Sequence, residues 1–205
     1  MKHKFSLPYI IKNASDFIIA FTALIITSPL FLLISILIKI DSKGPVFFVQ
    51  ERLGKGGTPF KFLKFRSMIH GAPDTGLEDA LEHNPHITRV GKFIRESTLD
   101  ELPQLVNVLK GDMGLVGPRP LPEYKGQDEK LKELFQKRNS MKPGLIGLND
   151  IKGRSDISWE ERIKNDIWYI DHRSWLLDIK ILFLGFFAVL SRKGIYGKED
   201  NKLEK

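Results

Sequence analysis

The longest feature of the hydrophobic pattern is a run of 22 residues, Phe17 to Ile38, that contains no charged side chain. As a helix, this run would measure about 33 Å, which is enough to cross a hydrocarbon core of about 30 Å. Ser28 and Pro29 lie at its centre, where proline removes a backbone donor and the serine hydroxyl can satisfy the freed carbonyl. The pattern therefore predicts a membrane helix that is broken at Ser28 and Pro29.

Lysines flank this run on both sides. Lys2, Lys4 and Lys12 precede it, and Lys39 and Lys43 follow it, so the positive-inside rule favours neither orientation. A re-entrant helix, which enters and leaves the membrane by the same face, would reconcile the central break with this symmetry. An ordinary kinked span stays open as the alternative, because membrane helices tolerate proline. A cleaved signal peptide is disfavoured, because no small-residue cleavage site follows the run.

A second apolar stretch, Trp175 to Leu190, is too short and too polar to span a membrane, since it carries Asp178 and Lys180. Two interpretations stay open: a helix that lies in the membrane interface, or a core helix of the folded domain. The same apolar face could instead meet a second subunit in a homodimer. Its residues at helical spacing are Leu176, Ile179, Leu182, Phe183, Phe186 and Leu190.

Between these stretches the pattern predicts a short β-hairpin followed by helices. The two strands are expected at 46–50 and 60–68, with a glycine-rich turn between them. The predicted fold class is α+β and mainly helical, with a compact helical domain that follows the N-terminal apolar run, which would be re-entrant or a kinked span, and that is associated with helices at the membrane interface if the second apolar stretch lies there. Helices are predicted at 87–94, at 128–138 and at 159–171, the last beginning with a capping box at Ser158. A further helix is predicted before Gly111, which is its C-terminal stop.

Composition excludes several classes of protein. With 205 residues, 42% of them hydrophobic and 28% charged, the chain is too apolar to be disordered, and its length predicts one domain with an appendage. The absence of cysteine excludes disulfides, thiolate catalysis and cysteine-bound zinc. The net charge of +7 fits an anionic partner, which could be nucleic acid, a membrane surface or a phosphorylated substrate.

Asp100 and Glu101 are adjacent carboxylates near the start of a predicted helix. Pro103 leaves two positions open for that start, either Thr98 or the residue after Leu102. In either case we expect the positive end of the helix dipole to hold both carboxylates ionised. Acidic residues at a helix start are also ordinary caps. Whether this pair caps the helix or takes part in catalysis is therefore judged from the residues around it.

Arg119 follows this helix between Pro118 and Pro120, and a guanidinium on a rigid backbone can grip phosphate in a bidentate manner. Two carboxylates beside fixed cations suit phosphoryl transfer, with one as nucleophile and the other as proton acceptor or metal ligand. Mg²⁺ is the expected cation because it prefers hard oxygen ligands. Further cations that could bind phosphate are Lys64, Arg66, Arg95 and Arg154.

The ordered set of motifs resembles one family, the monotopic phosphoglycosyltransferases, also called bacterial sugar transferases. The resemblance runs from about residue 11 to residue 190, and it is the order of the motifs that makes it specific. The motifs are Ser28-Pro29, Lys64-Phe65-Arg66-Ser67-Met68, Leu99-Asp100-Glu101-Leu102-Pro103-Gln104, Asn107 to Met113, Gly117-Pro118-Arg119-Pro120, Lys142-Pro143-Gly144, Gly147-Leu148, Gly153-Arg154 and Trp159.

The resemblance implies an enzyme of the bacterial cytoplasmic (inner) membrane, with its catalytic domain on the cytoplasmic face. Such an enzyme moves a phospho-sugar from a UDP-sugar to polyprenol (undecaprenyl) phosphate, giving polyprenyl-diphosphate-sugar and UMP, as the first membrane step of a glycoconjugate pathway. It also favours the re-entrant helix. The implied division of the chain is a membrane-associated segment (1–43), a catalytic domain (44–197) and a charged tail (198–205).

The resemblance further implies that Asp100 is the nucleophile and forms a covalent phospho-sugar intermediate. Glu101 would assist at a Mg²⁺ ion held by both carboxylates, or in deprotonating the acceptor phosphate. The residues expected to bind substrate are Lys64, Arg66, Arg95, Pro118, Arg119, Pro120 and Arg154.

The chain departs from the family after Gly147-Leu148. Members often have Ala-Gln-Val-Asn at this point, whereas this chain has Asn149-Asp150-Ile151-Lys152, so sugar contacts are not carried over into this loop. A glycosyltransferase with a metal-binding Asp-x-Asp is disfavoured, because the chain contains no such tripeptide. A non-enzymatic, membrane-anchored module that binds anionic lipid or nucleic acid stays open on charge alone, although no nucleic-acid-binding motif supports it.

Overall fold

The computed structural model describes residues 7–72, 84–122 and 132–191. It begins with α1, a single helix from Leu7 to Asp41. By length and composition α1 could cross a membrane, and only 11% of its most apolar window is buried, unlike the core helix of a soluble protein. The helix continues through Ser28 and Pro29, so the predicted break is not confirmed.

The predicted role of Ser28 in this helix is confirmed. Pro29 has no N–H to offer the carbonyl of Ile25, four residues earlier. The hydroxyl of Ser28 donates a hydrogen bond to that carbonyl at 2.8 Å. The serine thus satisfies the backbone group that the proline leaves free, and the helix can continue with an apolar surface.

The predicted β-hairpin is confirmed, with slightly different bounds. Strands β1 (Phe47–Leu53) and β2 (Pro59–Phe65) pair in antiparallel fashion, with Phe47 opposite Phe65. The turn between them favours glycine at Gly56, where φ is +70°.

A second, two-stranded sheet was not predicted. Strands β3 (Gly114–Val116) and β4 (Gly144–Ile146) pair in parallel, and with three residues each they are too short to show a periodic pattern. Their close approach depends on glycine, because a Cβ on Gly144 would lie 2.0 Å from the backbone nitrogen of Gly117.

The described part of the chain contains six further α-helices. The prediction of a cap at Ser158 is confirmed, since its hydroxyl accepts a hydrogen bond from the N–H of Glu161 at 3.2 Å. Helix α5 was not predicted, residues 128–131 of one predicted helix lie outside the described residues, and so does the charged tail. The helices are α2 (Arg89–Glu96), α3 (Gln104–Lys110), α4 (Lys132–Arg138), α5 (Leu148–Lys152), α6 (Trp159–His172) and α7 (Trp175–Ser191).

Both halves of α1 pack against the folded domain. Ala20 belongs to a core cluster with residues of α3, β3, α6 and α7, and Ile34 belongs to a second cluster with Phe65 and Ile94. The opposite face of α1 exposes large apolar side chains, including Ile26, which is 71% exposed. The helix therefore lies along the domain while one face remains available to lipid.

Helix α7 combines the two interpretations that its sequence left open. Ile181 is completely buried, and Leu182 packs against the same core, so Leu182 does not belong to the outward face predicted for it. The other face is apolar and exposed, as expected of a helix at a membrane surface. Its exposed residues include Leu176, Ile179, Phe183 and Phe186.

Candidate active site

Lys64 connects the two adjacent carboxylates. Its Nζ lies 3.2 Å from Oδ2 of Asp100 and 2.9 Å from Oε1 of Glu101. Strand β2 carries this lysine, and the ring of Phe62, two residues earlier on the strand, lies 5.9 Å from the same Nζ. The three charged groups are mostly buried, with side-chain exposures of 22%, 9% and 15%, so their charges interact strongly.

The carboxylates lie in a short 3-10 turn, Leu99–Glu101, that precedes α3. Thr98 opens the turn with φ of +58°, a left-handed conformation that is uncommon for threonine. Since α3 begins at Gln104, the later of the two predicted helix starts is correct. Asp100 and Glu101 lie just before α3, beside its N-terminal end, so the expectation that the positive end of the dipole holds both ionised stays a prediction.

Arg119 binds Glu101 through both arms of its guanidinium. Nη1 donates to Oε2 at 3.1 Å, and Nη2 donates to Oε1. Pro118 and Pro120 on either side are buried, while the arginine side chain is 42% exposed. Arg119 thus lies between two buried prolines, as predicted, with part of its side chain exposed.

The surroundings shift the pKa values of Asp100 and Glu101 in opposite directions. Burial raises the pKa of Asp100 above the usual value, and the charge of Lys64 only partly offsets this effect. Burial acts the same way on Glu101, but Arg119 and Lys64 together outweigh it and lower the pKa of that carboxyl. The pair thus combines a firmly ionised Glu101 with an Asp100 that is poorly solvated, an environment in which a carboxylate is more reactive.

Arg154 reaches the same region from the loop after α5. Its Nη2 donates to Oγ1 of Thr98 at 3.4 Å, and its φ of +52° is left-handed, like that of Thr98. Its Nη1 is buried and has no hydrogen-bond partner among the described residues. A buried guanidinium nitrogen without a partner is costly, and an anionic ligand would relieve that cost.

Two of the predicted substrate-binding arginines contact other parts of the structure. Arg66 donates to the carbonyls of Ser42 at 2.9 Å and Lys43 at 2.6 Å, just beyond the end of α1. The structure therefore gives Arg66 a role in fixing that end, rather than one in the carboxylate cluster. Arg95 donates to the hydroxyl of Ser67 at 2.7 Å. Its charge partly offsets the rise in the pKa of Asp100 that burial causes, so Arg95 lies near the site.

The atypical loop supplies residues that the sequence did not single out. Asp150 accepts a hydrogen bond from the N–H of Gly147 at 2.7 Å, and its pKa is raised by burial and lowered in part by Arg119. Asn149 donates to Asp166 at 2.8 Å and to the carbonyl of Arg162 at 3.1 Å. The unusual residues at 149–152 were a signal in the sequence that this loop differs from the family. The signal could not reveal the partners of Asn149, because Arg162 and Asp166 lie 13 and 17 residues further along the chain.

Two carboxylates could contribute to a metal site. Among the described residues, no group of three or more acidic or histidine side chains is placed to hold a metal ion. One or two carboxylates are nevertheless the usual protein ligands of a Mg²⁺ ion that substrate phosphates and water complete. Asp100 and Glu101 are adjacent, mostly buried carboxylates that lie beside the same lysine, so the number and chemistry of these donors fit this mode.

Comparison with known proteins identifies the family. Residues 7–192 match the family model described as bacterial sugar transferase. The chain belongs to the bacterial sugar transferase family. It is 40% identical over 191 residues to an uncharacterized sugar transferase, EpsL, of Bacillus subtilis (strain 168), and the match covers 91% of this chain and 90% of that protein. Membership makes the chain an enzyme, a phosphoglycosyltransferase, and sets aside the non-enzymatic binding module.

Other relatives of this sugar transferase carry more specific names. It is 39% identical over 193 residues to the UDP-glucose:undecaprenyl-phosphate glucose-1-phosphate transferase of Escherichia coli (strain K12), covering 91% of this chain and 42% of that protein. It is also 39% identical over 188 residues to the UDP-N-acetylgalactosamine-undecaprenyl-phosphate N-acetylgalactosaminephosphotransferase of Aeromonas hydrophila, covering 90% of this chain and 44% of that protein. The chain thus spans less than half the length of these two relatives.

Proposed function

We propose that this chain transfers a sugar phosphate from a UDP-sugar to polyprenol phosphate through a covalent intermediate on Asp100, and that it releases UMP. The observation that carries the proposal is the contact of one lysine, Lys64, with two adjacent buried carboxylates, beside the bidentate pair of Arg119 and Glu101. A carboxylate among fixed cations can attack a phosphate that those cations neutralise.

In the first step an oxygen of Asp100 attacks the sugar-bearing phosphorus of the UDP-sugar. A bond from Asp100 to phosphorus forms, the bond from that phosphorus to the oxygen of the uridine-bearing phosphate breaks, and UMP leaves with the electron pair. Arg119, Arg154 and Lys64 are the cations placed to stabilise charge on the phosphates. The unpartnered Nη1 of Arg154 supports its part in this role.

In the second step an oxygen of polyprenol phosphate attacks the same phosphorus. A diphosphate forms, and the carboxylate of Asp100 leaves in its original state, so the two steps exchange one diphosphate bond for another. Both oxygens of Glu101 already accept hydrogen bonds, from Lys64 and Arg119. This arrangement favours Glu101 as the group that positions the cations over its alternative role as proton acceptor.

Mg²⁺ is part of the proposal, with Asp100 and Glu101 as the residues that would hold it. When bound there, the ion supplies positive charge to neutralise the diphosphate of the substrate. Lys64 and Arg119 hold the two carboxylates in place through hydrogen bonds.

The contacts of α1 support a re-entrant membrane placement. Near its start, Oδ2 of Asp16 accepts a hydrogen bond from the N–H of Leu115 at 3.3 Å. At its end, Oδ2 of Asp41 accepts one from the N–H of Val90 at 3.0 Å. A helix that crossed the bilayer would carry one of these ends away from the domain. We therefore propose that both ends lie on the cytoplasmic face, together with the catalytic domain.

The transferase proposal is tested with the full chain, Mg²⁺, undecaprenyl phosphate and either UDP-glucose or UDP-N-acetylgalactosamine. We expect UMP release from one of the UDP-sugars, and, without acceptor, a radiolabelled phospho-sugar bound to the protein. Asp100→Asn should abolish both signals, while Asp171→Asn, an exposed aspartate on α6, should keep them. Unchanged UMP release by Asp100→Asn would contradict the proposal.

The membrane placement is tested with single cysteines at Phe5 and Lys43, since the chain has no cysteine of its own. A membrane-impermeant thiol reagent should label both from the cytoplasmic side only, as it labels Lys110→Cys on the exposed surface of α3. Labelling of Phe5→Cys and Lys43→Cys from opposite sides would show a true span instead.

A further inference from the structure

A basic cavity lies beside the first turns of α1, apart from the cluster around Asp100. Its volume is about 320 Å³, which suits a small polar group at the lower limit of ligand pockets. Among the described residues, its charged lining consists of four basic side chains and one carboxylate: Lys12, Lys55, Lys142, Arg173 and Asp16.

One of these cations is already neutralised. Nζ of Lys12 lies 3.2 Å from Asp16 and 3.0 Å from Asp178. The other three make no ion pair with any residue in 7–72, 84–122 or 132–191. Nζ of Lys55 lies 4.9 Å from the centre of the Tyr9 ring, and Lys142 donates to the amide oxygen of Asn13 at 3.1 Å. The basic side chains of the cavity therefore outnumber the carboxylates, even when Asp178 beside Lys12 is counted.

The cavity lies next to the points where the apolar surfaces of α1 and α7 begin. Its α1 wall comprises Tyr9, Lys12, Asn13 and Asp16, and the uncharged run begins at the next residue, Phe17. On the other side, Arg173 lies two residues before Trp175, the first residue of α7, whose outer face is exposed and apolar. The cavity thus lies where two lipid-facing helices change from polar to apolar, the depth at which lipid phosphates lie.

We propose that this cavity binds the phosphate headgroup of an anionic glycerophospholipid, with Lys55, Lys142 and Arg173 as its ligands. The charge favours a phosphodiester whose headgroup carries no cation of its own, because the three side chains would repel a choline or an ethanolamine. The volume accommodates the headgroup and leaves the acyl chains against the apolar faces of α1 and α7.

The inference depends on the membrane placement proposed above, but its test needs no turnover. The full chain in neutral detergent is titrated with dioctanoyl phosphatidylglycerol or dioctanoyl phosphatidylcholine, and the unfolding midpoint and lipid adducts in native mass spectrometry are recorded. We expect phosphatidylglycerol to raise the midpoint and to remain bound, and phosphatidylcholine to do so far less. Equal effects of the two lipids would overturn the proposal.

Two matched triple variants test whether lipid binding depends on the cavity rather than on the net charge. The triple variant Lys55→Gln, Lys142→Gln, Arg173→Gln should bind phosphatidylglycerol more weakly by a factor on the order of 100, since each basic side chain contributes about fivefold. The control variant Lys61→Gln, Lys110→Gln, Lys164→Gln removes the same charge from exposed positions and should keep the affinity. Equal losses in the two variants would show a non-specific charge effect and overturn the proposal.

A soluble phosphate compound is the alternative ligand for this cavity, because it carries the same anionic group as the lipid. Inorganic phosphate and glycerophosphoglycerol, each at the lipid's concentration, should raise the unfolding midpoint much less than the lipid does. An equal rise with either would assign the cavity to a soluble anion and overturn the lipid proposal. A failure in this titration leaves the transferase proposal unaffected, and the cysteine labelling tests the membrane placement separately.

Discussion

Arg138 and Asp166 form a buried ion pair behind the candidate active site. Nε of Arg138 lies 2.7 Å from Oδ2 of Asp166, and both side chains are only 4% exposed. The same guanidinium donates through Nη2 to the backbone carbonyl of Arg119. The pair thus supports, from the interior, the loop that presents Arg119 to Glu101.

Replacement of one member of this pair should be strongly destabilising. In Arg138→Met the carboxylate of Asp166 stays buried and keeps the hydrogen bond from Asn149 but loses its ion-pair partner, and we expect a loss of about 3–5 kcal/mol in the free energy of unfolding. Chemical denaturation in detergent measures this loss. The double variant Arg138→Met, Asp166→Leu should recover part of it.

The neighbouring residue Lys137 provides the matched control. Its Nζ lies 2.7 Å from Asp171, but the side chains are 45% and 46% exposed. Water screens such a pair, so Lys137→Met should cost no more than about 1 kcal/mol. A similar cost for Arg138→Met and Lys137→Met would contradict the structural role given to the buried pair.

Lys64→Met should lower turnover by about 10²–10³-fold, because it removes a cation that contacts both carboxylates. UMP release measures the effect. Lys61→Met is the control on the same strand, since Lys61 is exposed and lies opposite Glu51 in the hairpin register. Turnover by Lys64→Met within a few fold of that by Lys61→Met would show that the lysine is dispensable.

Gly144→Ala should prevent the two short strands β3 and β4 from pairing. The new Cβ would lie 2.0 Å from the backbone nitrogen and 2.6 Å from the Cα of Gly117, and backbone atoms cannot rotate away as a side chain can. We expect a lower unfolding midpoint together with lost UMP release, because Gly117 leads directly into Pro118 and Arg119.

Gly56→Ala separates the effect of steric contact from that of backbone strain. A Cβ on Gly56 would meet no atom within 4 Å, although its φ is +70°. The expected cost is about 1–2 kcal/mol from the left-handed conformation alone, with UMP release retained. If Gly144→Ala were as well tolerated as Gly56→Ala, the pairing of β3 and β4 would be in doubt.

Gln104→Leu should stabilise the fold. The side chain of Gln104 is completely buried, and neither its amide nitrogen nor its amide oxygen has a hydrogen-bond partner among the described residues. An apolar side chain of similar size avoids a desolvation cost of about 1–3 kcal/mol. The unfolding free energy of Gln104→Leu is compared with that of Gln136→Leu, an exposed position on α4, and a loss of stability confined to Gln104→Leu would show that the amide has a partner.

The sequence by itself determined the apolar helix, the hairpin, and the candidate chemistry of Asp100, Glu101 and Arg119. These features depend on local information: a long uncharged run, alternating strands around a glycine turn, and adjacent residues in a recognisable order. Even the hydrogen bond of Ser28 to the carbonyl of Ile25 could be predicted, because it follows from proline chemistry within one helical turn.

Only the tertiary structure decided which cations meet the carboxylates. Lys64 and Arg66 lie two residues apart, yet Lys64 contacts Asp100 while Arg66 caps the end of α1. Likewise, periodicity could not choose between core and interface for α7, which has one face in each. The physical reason is that a residue's type and spacing fix its local conformation, whereas its burial and its partners depend on packing between segments distant in the chain.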